Sequence, residues 1–148
     1  MNSSRLEPGE AIPVGQDTTG EAAAPRASVA IGFGSPADDS GVTRLDLNHL
    51  LIRHPQATFM MRAAGDAMQE AGIASGDLLL VDRAITPAHG QVVIAVVDEG
   101  FSCRRLVKQG PDLRLQASRA GVADIVPDEG RDLQVWGVVT QVIKAMPI

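Results

Sequence analysis

The stretch Thr58-Phe59-Met60-Met61-Arg62-Ala63-Ala64-Gly65-Asp66-Ala67-Met68-Gln69-Glu70-Ala71 decides the fold. Thr58 to Ala63 reads as a strand, Gly65-Asp66 as a tight turn, and Ala67 to Ala71 as one helical turn. Upstream, Asp46-Leu47-Asn48-His49-Leu50-Leu51-Ile52 has a polar start and is stopped by Pro55, the pattern of a short helix. Downstream come Asp77 to Asp82 and Gln91 to Val97, both dense in branched aliphatics. An Asp98-Glu99-Gly100 turn follows, and Phe101 to Val107 pairs back as a hairpin. Leu113 to Gln116 alternates apolar and polar. Leu133 to Met146 is a long apolar strand in which Gly137 signals a bulge or bend. Short strands at close spacing with few helices define a mostly-β domain.

Residues 1–31 carry Pro, Gly, Glu, Ala and Thr without helical or strand period, so they are expected to form a flexible arm ahead of a domain at 32–148. The arm is too short and too poorly patterned for a helix-turn-helix. The chain has 148 residues, enough for one domain with a real core. With one Trp, three Phe and no Tyr, that core must come from Val, Leu, Ile and Ala. A formal charge of −5, with no basic cluster beyond Arg104-Arg105 and Lys108, argues against autonomous or sequence-specific DNA binding. The single Cys103 excludes an internal disulfide framework. No apolar run reaches the roughly 18 residues of a membrane helix, and no leader pattern opens the sequence. These features set the expectation of a cytoplasmic protein without membrane contact.

An ordered series of motifs carries a resemblance. It runs through Gly32-Phe33-Gly34-Ser35-Pro36, then Leu45 to Pro55, then Gly65-Asp66-Ala67-Met68. It continues in Gly76-Asp77-Leu78-Leu79-Leu80-Val81-Asp82, Ala84-Ile85-Thr86, His89-Gly90 and Val92-Val93-Ile94-Ala95, and closes in Val135-Trp136-Gly137-Val138-Val139 and Val142 to Met146. A lone Gly-Asp-x-Met is weak evidence; the collinear set resembles the UmuD branch of the LexA-type self-cleaving serine peptidases. The resemblance implies a β-rich peptidase domain with a serine–lysine dyad. It also implies self-cleavage of the arm, driven by a recombinase filament on single-stranded DNA. The trimmed dimer then joins a Y-family polymerase for translesion synthesis in the SOS response.

The departures bear on mechanism. The nucleophile position of the tetrapeptide is Ala67, and a methyl group has no lone pair with which to attack a carbonyl. The general-base lysine position is Arg104, whose guanidinium keeps its proton at physiological pH. The cleavage position falls between Ile31 and Gly32, and Ile31 is a bulkier, β-branched residue where the family places a small one. The arm also lacks the aromatic segment that the resemblance would assign to contact with a replication clamp. The expectation is a non-catalytic UmuD-like accessory subunit of a Y-family polymerase, a homodimer or a heterodimer with an active relative. Two alternatives stand beside it: a self-cleaving peptidase, and a regulatory partner of an active UmuD-like protein.

Other chemistry-bearing residues have plainer readings. His49 and His54 lack partners at ligand spacing, so neither a metal nor a cofactor is expected. His89 reads as a turn or capping residue. Asp98, Glu99, Asp124, Asp128 and Glu129 read as loop charges. Cys103 is adjacent to Arg104 on a strand and is expected on the opposite face. Arg104 itself is either a solvated strand charge or a structural cation pairing with Asp66 or another carboxylate.

Overall fold

The structure is a computed structural model, and it describes residues 11–13, 44, 46–127 and 133–148. The expected Ile31–Gly32 bond and most of the arm lie outside the described residues. The strands are β1 (Ala11–Pro13), β2 (Thr58–Arg62), β3 (Leu78–Asp82), β4 (Val92–Val97), β5 (Gly100–Gln109), β6 (Asp112–Gln116) and β7 (Leu133–Ile143). One short helix, α1 (Leu47–Leu51), precedes β2. Its N-cap is Asp46, whose carboxylate accepts the Asn48 N–H at 3.0 Å. The helical turn expected at Ala67 to Ala71 is shorter, a 3-10 turn at Gln69–Ala71 that ends on Gly72 in the left-handed region.

All seven strands join one sheet in the order β1-β2-β3-β7-β4-β5-β6, and every pairing is antiparallel. The mostly-β reading of the sequence is borne out. The irregular reading of the arm is corrected at one place. Ala11, Ile12 and Pro13 pair with Met61, Met60 and Phe59, so part of the arm forms the edge of the sheet beside β2. A three-residue strand containing proline is too short to leave an alternating pattern, and an edge position tolerates the missing N–H.

The hydrophobic residues split by strand alternation into two clusters. Met61, Ala63, Met68, Ile73, Leu79, Val81 and Ile94 form one. Val93, Ala95, Leu106, Leu115 and Val138 form the other, so the neighbours Val93 and Ile94 on β4 serve different faces. Strand β7 lies at the centre of the sheet and carries two irregularities. Against β4 the register jumps from Gly137 to Val135, leaving Trp136 as an extra residue. Against β3 it jumps from Gln141 to Val139, leaving Thr140 extra. The first bulge moves the strand's inward set from Leu133 and Val135 to Val138, and it puts Trp136 against the other cluster. There Trp136 meets Phe59 and Phe101, with ring centroids 5.3 and 5.2 Å away, and the Arg83 guanidinium stacks 4.4 Å from its ring.

The hairpin turn is tighter than expected. β5 starts at Gly100, so Asp98 and Glu99 alone make the loop, at φ 52° and 73°. Strand β7 ends at Ile143 rather than Met146 because Lys144 leaves the sheet to reach the Asp77 carboxylate at 2.5 Å.

Candidate functional site

Strand β2 delivers the chain into the Gly65-Asp66-Ala67-Met68 turn. Two backbone bonds fix its exit: Ala63 N–H donates to the Asp77 carbonyl, and Gly76 N–H donates to the Ala63 carbonyl, each at 2.8 Å. Gly65 takes φ +87°, a conformation open to glycine at no steric cost. Beyond the turn, Met68 is buried in the first cluster and anchors the segment, while Ser118 N–H donates to the Ala67 carbonyl at 2.8 Å. Strand β5 runs past the same place. The result is a cavity of about 320 Å³ at this turn; another, of about 450 Å³, lies beside α1 and shares none of its lining. The cavity at the turn is lined by Ala63 to Met68, Ile73, Ser102, Cys103 and Arg104. Ala67 and Arg104, 37 residues apart, thus face one cleft.

Arg104 is half-buried, and its Nη1 donates to the carbonyl of Cys103 at 2.8 Å. Its Nε is buried and has no hydrogen-bond partner among the described residues. The pairing with Asp66 entertained from sequence is not formed. Asp66 binds Arg119 instead at 2.5 Å, and Arg119 also donates to the Gln69 side chain at 2.7 Å. Arg119 stands 53 residues from Asp66, in a loop with no motif, and no signal in the sequence pointed to it.

The expected alternation holds: Cys103, paired with Ile94, packs on the cluster of Met61, Ala63 and Met68, while Arg104 pairs with Val93 of the other cluster. Both residues line the cleft, and the Arg104 guanidinium donates to the Cys103 carbonyl. Burial pushes the Cys103 thiol up to about 11, and the Arg104 charge only partly opposes this. At neutral pH it is a protonated thiol, a poor nucleophile.

The remaining polar groups near the sheet are structural. His54 Nδ1 lies 2.7 Å from the buried Asp82 carboxylate, a pair that the sequence did not reveal. The turn role expected of His89 is borne out: its Nδ1 accepts the Lys108 N–H at 3.0 Å. Among the described residues no group of three His, Cys, Asp or Glu gathers as a metal site. No helix among the described residues is long and apolar enough to cross a membrane.

A single antiparallel sheet, with a Gly-Asp-x-Met turn facing its hairpin strand across a cleft, is the frame of a peptidase-type β domain. Residues 25–140 match the Peptidase S24-like family, and the chain belongs to it. It is 42% identical over 113 residues to Protein ImpA of Escherichia coli, covering 76% of each chain. It is 45% identical over 112 residues to Protein SamA of Salmonella typhimurium, covering 76% of this chain and 77% of that one. Protein MucA of Escherichia coli is 30% identical over 120 residues, 81% of this chain and 82% of that protein. The UmuD-like, LexA-type assignment read from the motifs therefore holds, and it supports a role in the SOS response.

Proposed function

We propose that this protein is a non-catalytic UmuD-like accessory subunit of a Y-family translesion polymerase, acting as a dimeric binding module in SOS mutagenesis. The observation that carries the reading is the content of one cleft. Ala67 and Arg104 line it together, where the family chemistry needs a nucleophile and a base. Ser102 and Cys103 also line it. A hydroxyl or a protonated thiol needs a proton acceptor, however, and Arg104 cannot be one. The nearby Asp66 carboxylate is held by Arg119. Loss of a catalytic serine in hydrolases costs on the order of a million-fold, which leaves nothing useful for a slow self-cleavage.

A net charge of −5 supports contact with DNA through a partner rather than directly. Exposed Leu47 and Leu50 on α1, with Val142 and Ile143 at the end of β7 and Met146 beyond it, give apolar surface suited to a homodimer or to a heterodimer with a cleavable relative. The test is direct. The purified chain is incubated with activated recombinase filament on single-stranded DNA, and separately at alkaline pH, and then run on a gel. The intact chain is expected in both. A product beginning at Gly32 overturns the non-catalytic reading. Co-purification with a Y-family polymerase is expected, and its failure counts against the accessory role alone.

A further inference from the structure

We infer that the cleft between the Gly65-Asp66-Ala67-Met68 turn and β5 is a carboxylate receptor, with the Arg104 guanidinium as its binding group. The reading rests on the proposal that this cleft does not cut, and it uses what the substitutions have left behind. Arg104 spends one end of its fork, Nη1, on the Cys103 carbonyl. Its Nε is buried yet bonds to no described residue. A buried N–H of a charged group without an acceptor is costly and leaves the guanidinium charge uncompensated at that edge. Nη2 makes no hydrogen bond to a described residue and is not buried, so it is the end that meets a ligand carboxylate in a charge-assisted bond.

Charge at the cleft favours an anion as well. Asp66 is the carboxylate in its lining, and Arg119 neutralises it at 2.5 Å. No carboxylate among the described residues pairs with Arg104, so its charge is available to a ligand. The backbone N–H groups of Ala67 and Met68 also make no hydrogen bond to a described residue, and both residues line the cleft. Consecutive free N–H groups in a turn add to an anion's stabilisation. Ala67 has no side-chain oxygen to compete for them, and its small methyl group leaves the space open. At about 320 Å³ the cavity exceeds what a two-carbon acid fills, so the carboxylate arrives either on a small organic acid or on an acidic side chain of a polypeptide.

The experiment is an amide-resolved titration of the isotope-labelled full chain. Sodium butyrate and the capped tripeptide acetyl-Ala-Asp-Ala-amide are the two probes, each against sodium chloride at equal ionic strength. Saturable shifts are expected at the Ala67 and Met68 amides and at the Arg104 Nε–H. Equal affinities for the two probes assign the site to small acids; a tighter tripeptide assigns it to polypeptide carboxylates. Arg104→Met should weaken binding at least about tenfold, and Arg104→Lys, which keeps the charge but loses the fork, should restore it only in part. Should Arg104→Met fail to fold, Ala67→Leu keeps the cation and fills the cleft, and it should abolish the response. No saturable shift with either probe, or binding that survives these substitutions, overturns the inference. Because cleavage is read on a gel and binding by amide shifts, failure of one does not mimic failure of the other.

Discussion

Ala67 lacks the one oxygen that would make its tetrapeptide a nucleophile turn, yet restoring that oxygen is not enough. A serine there would need its proton removed, and the neighbouring cleft residue Arg104 stays charged. Ala67→Ser alone is therefore expected to remain intact after incubation with filament or at alkaline pH. Adding Arg104→Lys should produce measurable cutting at Gly32, slowed by Ile31 at the proposed cleavage position. Self-cleavage by the single serine variant at the rate of its relatives would show that Arg104 does not occupy the base position. At this scale the sequence was readable where chemistry is local. Ala67 and Arg104 each sit in a short motif, and the fold brings them to one cleft. It was silent on Arg119, whose contact with Asp66 depends on where a motif-free loop happens to pass. It did place the cysteine, because strand alternation alone sets Cys103 and Arg104 on opposite faces of β5.

Among the elements, β7 shows most clearly how one residue sets a strand. A Cβ added at Gly137 would lie 2.6 Å from Cγ1 of Val81, which is fully buried and has no room to move. Gly137→Ala is expected to cost about 1–3 kcal/mol in urea unfolding, as overpacking does. An unchanged midpoint would mean that the bulge beside it absorbs the methyl. The sequence marked this glycine as a bend but could not mark Thr140, where the second bulge sits inside an ordinary polar position. Lys144 ends the strand and sets a pH response. Burial of Asp77 would raise its pKa, but the hydrogen bond from Lys144, the Ala74 N–H and the lysine charge together hold it below its ordinary 3.8. A carboxylate whose pKa is lowered by folding contributes stability that is present above 3.8 and is lost as the pH falls through the folded value. Lys144→Met removes the cation that lowers the Asp77 pKa, so this group's share of the acid loss should shrink or reverse, and the variant's stability should fall less steeply toward low pH. With Lys144 half exposed, the change at neutral pH should be about 1 kcal/mol or less. Urea midpoints over about pH 3 to 6 measure both effects; parallel curves for the two proteins would remove the pair from the account.

For the molecule as a whole, the proposed absence of cleavage gives the attached arm a role to test. An arm with no anchor would leave the partner surface exposed at all times. The structure holds Ala11–Pro13 on the β2 edge, so some docking exists. Among the described residues the contact is three paired residues, and Ala11 packs its methyl group against the core. A strand that short is marginal by itself, and residues 1–31 contain no aromatic side chain that could add a larger anchor. Weak docking predicts that the full chain already behaves as the trimmed form of a cleavable relative would, with control lying in its expression. Deleting residues 1–31 should then change affinity for the proposed polymerase partner by less than about tenfold, or roughly 1.4 kcal/mol. The deletion also bares the β2 edge, and an unpaired edge invites association. Sedimentation of the truncated chain must accompany the binding measurement, with a dimer expected at micromolar concentration for both forms. A gain in affinity well above tenfold, with the oligomeric state unchanged, would show that the three-residue strand is the visible part of a real inhibitory contact. The molecule would then need some other means of releasing it.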